Sequence, residues 1–176
     1  MTPPVMKGPA APSLLGPTDL HLFNEGTHAR LYEKLGSRII EFNGQSGAYF
    51  AVWAPNAERV AVIGDFDFWS GAALPMRSLG SSGVWELFVP GVEDGARYKF
   101  KVLGADSQWR DKADPMAFAT EVPPATASVV HTDAYEWTDA EWLERRAATD
   151  PYTSPMSIYE VHLGSWRQGL SYRQLA

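Results

Sequence analysis

Turn-forming residues cut the stretch from 37 to 132 into short apolar runs, and this punctuation constrains the fold more than any other feature. Asn43-Gly44, Ala54-Pro55-Asn56, Ser81-Ser82-Gly83, Pro90-Gly91 and Asp94-Gly95 fall between candidate strands at 38–42, 48–53, 59–63, 84–89, 97–103, 108–111 and 128–131. Runs this short leave a helix little room to recover its nucleation cost, whereas they suit strands. In 97–103, Tyr98, Phe100 and Val102 alternate with Arg97, Lys99 and Lys101, the period of a half-buried antiparallel strand. In 59–63, Val60 and Val62 share one face and Ala61 and Ile63 the other, before Gly64 and an aromatic loop that ends at Trp69. Short strands at regular spacing predict an all-β, immunoglobulin-like sandwich.

The flanks read differently. Residues 1–17 are rich in Pro, Gly and Ala and are expected to form a flexible leader. Thr18 is placed to cap a short helix over 19–23 that Asn24-Glu25-Gly26 stops, and 32–36 reads as one turn ended by Gly36. Residues 18–36 are therefore a helical lead-in. Beyond 132, Thr138 and Glu141 have capping-box spacing and open a helix through Arg146; Asp150-Pro151 and Ser154-Pro155 then make a linker. A further strand is expected at 157–163, and Ser171 with Gln174 begins another capped helix. Residues 133–155 are thus helix and linker, and 156–176 the truncated start of an α/β domain.

Composition narrows the partners. A hydrophobic content of 45% against 20% charged residues belongs to a globular chain, and a net charge of −6 with scattered Lys and Arg argues against a polyanion. There is no cysteine, and His21, His28, His131 and His162 show no ligand spacing. No apolar run is long enough to span a bilayer. A cytoplasmic protein without metal, cofactor, nucleic-acid or membrane partner is expected.

The aromatic content raises another possibility. Of seven tryptophans, Trp53 and Trp85 lie in apolar strands and are expected in the core, while Trp137 and Trp142 flank the capped helix. Trp69 and Trp109 sit in polar surroundings. A pyranose ring can pack its C–H groups on an indole face and leave its hydroxyls hydrated, so either residue suits a sugar; simple packing, for Trp69 under the loop 74–76, is the alternative. Asp65 and Asp67 superficially resemble a glycosidase pair, but their spacing fits turn chemistry better.

At this point the motifs resemble a family. Phe23-Asn-Glu-Gly-Thr-His28, Phe50-Ala-Val-Trp-Ala-Pro55, Val62-Ile-Gly-Asp-Phe-Asp-Phe-Trp69, Gly83-Val-Trp-Glu-Leu87, Tyr98-Lys-Phe100 and Asp114-Pro115 resemble, in order, the N-terminal part of bacterial glycogen branching enzymes. That part carries a family 48 carbohydrate-binding module, here spanning 37–132. Ser157-Ile-Tyr-Glu-Val-His-Leu-Gly-Ser-Trp166 is similar to the first strand of the family's (β/α)8 barrel. Asp67 stands where the family usually carries Asn. The resemblance implies a parent enzyme that moves α-1,4-glucan segments onto 6-hydroxyls by retaining transglycosylation, with its two carboxylates beyond residue 176. It implies that 37–132 contacts α-1,4-glucan (glycogen or maltooligosaccharide) through Trp69, Lys99 and Trp109, beside the protein's own catalytic barrel. An ordinary solvated strand lysine is the other reading of Lys99. A debranching or trehalose-releasing relative, and an immunoglobulin-like spacer without sugar affinity, are the competing functions.

Overall fold

The computed structural model describes residues 12–72 and 74–176. They fall into two compact units divided after Asp133. In the first, nine strands follow in order: β1 (Gly36–Phe42), β2 (Gln45–Trp53), β3 (Ala57–Gly64), β4 (Arg77–Ser78), β5 (Val84–Pro90), β6 (Arg97–Gly104), β7 (Trp109–Lys112), β8 (Ala119–Thr120) and β9 (Ser128–Val129). They form two antiparallel sheets, one in the order β1-β2-β5-β4 and the other β3-β6-β9-β8, with β7 also paired to β6. The seven expected strands are present. The two unforeseen ones, β4 and β8, are two residues long, too short to show any period.

Strand parity explains the core. Ala48, Phe50 and Val52 of β2 meet Val60 and Val62 of β3 and Tyr98 and Phe100 of β6 between the sheets. The opposite face of β2, with Tyr49 and Ala51, is covered by Leu15 and Leu35 and by Leu20 and Phe23 of α1 (Pro17–Glu25). β2 is therefore buried on both faces, and the lead-in is a third layer. Trp53 shares the face of Tyr49 and Ala51 but lies at the margin of this cover, against the edge of Phe23, so it is 55% exposed and not the core residue expected. Trp85, on the inner face of β5, is partly buried and donates its indole N–H to the Ala54 carbonyl at 3.1 Å.

The outer face also holds a buried charge. Glu86 of β5 is fully buried, and its Oε1 accepts from Arg77 Nε at 2.8 Å and again from Arg77 Nη2. Its Oε2 accepts from the hydroxyls of Tyr49 at 2.5 Å and Ser13 at 2.7 Å. Burial and the Glu86 carboxylate both push the Tyr49 hydroxyl well above its ordinary pKa. Of the expected flexible leader, residues 1–11 lie outside the described residues; Ser13 and Leu15 are packed on the sandwich because these polar and apolar contacts hold them.

The lead-in helix starts two residues before the expected cap. Gly16, not Thr18, is the N-cap, and Asp19 accepts the Gly16 N–H at 2.8 Å. The early start follows from Pro17, which has no N–H to leave unsatisfied in the first turn. Asp19 also meets His28 Nε2 at 2.9 Å and Lys34 Nζ at 3.3 Å. His28 Nδ1 accepts the Arg30 N–H at 3.2 Å, so Nε2 carries the proton and donates to Asp19 without the ring needing a charge.

The second unit has α2 (Ala140–Ala147), α3 (Leu163–Trp166) and α4 (Tyr172–Leu175). The residue at the N-cap of its first helix is Asp139 and not Thr138, and the Asp139 side chain makes no capping hydrogen bond. Ser171 and Gln174 do form their capping box. The strand expected at 157–163 is absent: 155–162 is irregular, and Leu163 opens α3. A parallel strand needs neighbours to satisfy its N–H and C=O groups, and no described residue pairs with this segment. No helix among the described residues is long and apolar enough to cross a membrane.

Two outcomes are expected. Glu86→Ala removes the shared acceptor of Arg77, Tyr49 and Ser13 and should cost about 3–5 kcal/mol in urea unfolding, the scale for breaking a buried ion pair; a loss below about 1 kcal/mol would show that the cluster holds nothing together. His28, the Gly16 N–H and Lys34 hold the Asp19 carboxyl at about 2 against an ordinary 3.8. A depressed acid stabilises the fold above its unfolded pKa, and that contribution is lost as pH falls toward the folded value. Amide exchange in α1, corrected for intrinsic rates, should accelerate relative to β2 between pH 4 and about 2.

Candidate functional site

The three residues expected at the site lie on one face of the β3–β6 sheet. Tyr98, Phe100 and Val102 of β6 turn to the core, so Arg97, Lys99, Lys101 and Leu103 face outward. Lys99 is paired with Ile63 of β3, and Leu103 with Trp109 of β7. Directly opposed residues share a face, so Trp109 stands on the same side as Lys99. Trp69 comes to that side through the loop after β3, which folds back over the sheet. A Cβ on Gly71 would lie 2.6 Å from Ile63 Cγ2 and 2.9 Å from Lys101 Cδ, and Gly71 has φ +67°. Only glycine allows that approach.

The loop is built around two carboxylates. Asp67 Oδ1 accepts the N–H groups of Gly64 at 2.8 Å and Trp69 at 3.0 Å, and Oδ2 accepts the Gly71 N–H at 2.7 Å and the Ser70 hydroxyl at 3.4 Å. An amide oxygen could serve only one of these two groups of donors, which gives the acidic residue a structural role that asparagine would fill only in part. Asp65 takes the indole N–H of Trp69 at 3.2 Å and a guanidinium fork from Arg97, Nη2 at 3.0 Å and Nε at 2.9 Å. That fork holds the Asp65 carboxyl below the usual carboxylate range. Both aspartates thus do turn and positioning chemistry, as their spacing implied, and neither faces a partner carboxylate across a substrate gap.

Phe66 anchors the loop, its ring 5.9 Å from that of Phe50 in the core. Phe68 and Trp69 follow at φ 55° and 61°, left-handed conformations that cost a non-glycine residue roughly 1–2 kcal/mol each. The strain turns Phe68 out almost completely, and Trp69 is left 37% exposed with its polar edge occupied by Asp65. Trp109 is 44% exposed at the start of β7, below a turn closed by Asp106 and Arg110 at 2.5 and 2.9 Å. The Arg59 guanidinium lies 5.3 Å from its ring centroid, and the two border a groove of about 290 Å³ with Gly71 and Pro75. Lys99 is half-buried and donates to the Thr126 hydroxyl at 2.8 Å.

Arg59 and Phe68 were not foreseen at this face, and neither was the ion pair of Arg97 with Asp65. Arg97 lies 32 residues from the aspartate it clamps, a pairing without local signal. Phe68 reads in sequence as one more apolar residue of an aromatic run.

Residues 34–117 match the family model of carbohydrate-binding module 48 (isoamylase N-terminal domain). Over 166 residues, 92% of this chain, the sequence is 64% identical to a 1,4-alpha-glucan branching enzyme GlgB from Rhodococcus jostii and covers 23% of it. It is 62% identical over the same length to the GlgB of Nocardia farcinica, 92% of this chain and 22% of that protein. Among solved structures, a pullulanase from Bacillus acidopullulyticus is similar at a TM-score of 0.46 and 26% identity, over 56% of this chain and 12% of that one. The chain spans less than a quarter of the length of these branching-enzyme relatives.

Asp67→Ala should release the loop: amide exchange at Trp69 and Gly71 should accelerate while the sheet amides keep their protection. Global stability should fall by about 1–2 kcal/mol, the scale of a few net hydrogen bonds in a partly exposed site, with Asp67→Asn intermediate. Unchanged exchange in the Ala variant would show that the carboxylate does not hold the loop.

Proposed function

We propose that the chain is the N-terminal part of a 1,4-alpha-glucan branching enzyme, with a family 48 carbohydrate-binding module over 34–117, and that the outer face of β6 binds α-1,4-glucan. The observation that carries the reading is the alignment of Trp69, Lys99 and Trp109 on one sheet face. Trp69 reaches the Arg97 end of β6 through Asp65, and Trp109 stands beside Leu103. The strand between those positions is about 20 Å long. A glucan crossing this face beside the 69–71 loop, which sits over Lys101, meets both indoles and the Lys99 ammonium. Asp65 already occupies the Trp69 indole N–H, so that ring offers the sugar its face and not its edge.

In this reading the module works in the cytoplasm as one part of a longer enzyme. Residues 157–163, which form no strand in this chain, become the first strand of the attached catalytic barrel when its neighbours supply their ladder. The barrel moves an α-1,4-glucan segment onto a 6-hydroxyl by a retaining mechanism with two carboxylates. The module keeps polymer close to that chemistry.

The expected affinity is low. Each stacking contact contributes about 0.5–1.5 kcal/mol beyond area burial, taking aromatic pairs as a proxy, and ordering a flexible oligosaccharide opposes them. A net near −4 kcal/mol corresponds to a roughly millimolar dissociation constant, sufficient for a tethered module on a repeating polymer. Titration with maltoheptaose, followed by amide and indole shifts, should give that value. Trp69→Ala and Trp109→Ala should each weaken binding several-fold while leaving the sandwich folded. Undiminished affinity in both folded variants would refute the site, and silence of the wild type at tens of millimolar would favour a spacer without sugar affinity.

A further inference from the structure

Trp53 is an exposed aromatic for which neither the core nor the proposed glucan face accounts. Its indole walls a cleft of about 630 Å³ at the end of the β1-β2-β5-β4 sheet, where the lead-in stops covering β2. Phe23 of α1 stands edge-on to it, with centroids 6.0 Å apart and planes at 78°. Leu31 and Leu35 of the lead-in and Pro55 and Met116 of the sandwich complete the apolar wall, and Asn24 and Ser81 lie at the rim. The volume lies within the range of small-ligand sites, and the lining is of their kind: aromatic and aliphatic, with a few polar groups at the edge.

No lining residue is charged. A phosphorylated sugar, a nucleotide or an acidic peptide would lose hydration here and gain no counter-charge. The lining selects a neutral occupant with an apolar face for the indole, and Asn24 and Ser81 offer it polar partners at the rim. The Trp53 indole N–H, unlike those of Trp69 and Trp85, makes no hydrogen bond among the described residues, so it remains a donor for a ligand hydroxyl. The cleft shares no lining residue with the groove beside Trp109, and Trp53 belongs to the other sheet.

We propose that this cleft is a second, independent subsite for a short stretch of neutral α-1,4-glucan, with Trp53 as its stacking platform, Phe23 as its side wall and Asn24 and Ser81 as rim partners. The choice of sugar rests on the carbohydrate-binding reading above; the neutrality and the aromatic walls do not. Two subsites on different sheets make the module bivalent toward one polymer, and occupancy of either raises the effective concentration of glucan at the other.

The experiment is a maltoheptaose titration of the isotopically labelled 176-residue chain, reading the tryptophan indole N–H signals and the amides of Asn24 and Ser81. The Trp53 group should shift with its own saturation curve and keep shifting in a Trp69→Ala/Trp109→Ala double variant. Trp53→Ala should abolish the shifts at Asn24 and Ser81 and leave affinity at Trp69 and Trp109 within about twofold. Should Trp53→Ala unfold, Ser81→Arg places bulk and charge at the exposed rim and should weaken the cleft by at least about tenfold, since 1.4 kcal/mol is a factor of ten. Shifts at Trp69 and Trp109 with a silent Trp53 group overturn this subsite and leave the glucan face standing; shifts at Trp53 alone do the reverse. A response of the Trp53 group to a neutral leucine-rich peptide but not to sugar would make the cleft a protein-docking site and overturn the proposal.

Discussion

A carboxylate buried on the outer face of a sheet must be paired, and the way Glu86 is paired fixes the first unit. Removing a charge from water costs several kcal/mol unless other groups replace its solvation. Here the replacements come from three places: Arg77 of the short edge strand, Tyr49 of the neighbouring strand and Ser13 of the segment before the lead-in helix. One acid thereby joins β2, β4 and β5 to the N-terminal segment. The apolar cover follows from it, because Leu15, two residues from Ser13, is seated against the same face.

Much of this fold was legible because the local signals agreed. The alternation in Arg97–Gly104 and the glycine-containing turns marked the strands, and the aromatic loop after β3 stood out by composition. The failures have definite causes. β2 is apolar on both faces, so periodicity could not show that Trp53 belongs to the outer one. The Asp65–Arg97 clamp joins distant segments, and Pro17 draws the helix start ahead of the expected Thr18 cap. At 157–163 the composition is that of a strand, but strands form only where another backbone accepts their hydrogen bonds. Of the proposed glucan face, the sequence showed two indoles, a lysine and two turn-forming aspartates, but not that Asp65 would hold the edge of the Trp69 indole.

The loop after β3 is ordered before any ligand reaches it. Two successive non-glycine residues are held in left-handed conformations by one carboxylate, and a second carboxylate fixes the indole edge. The conformational loss is therefore met during folding, which lowers the ordering left to occur when a ligand arrives. Close approach at Gly64, where a Cβ would lie 2.4 Å from the Arg97 carbonyl, keeps that loop flush with the end of β6.

The seating of Phe23 opposite Trp53 has a thermodynamic consequence. One ring belongs to the lead-in helix and the other to the strand beneath it, so the cleft that both line keeps its shape only while the lead-in is docked. A guest in that space binds the closed arrangement and not the locally opened one, and by linkage it must raise the free energy of undocking the lead-in. With such a guest the covering layer becomes a sensor as well, its opening equilibrium reporting whether the cleft is occupied.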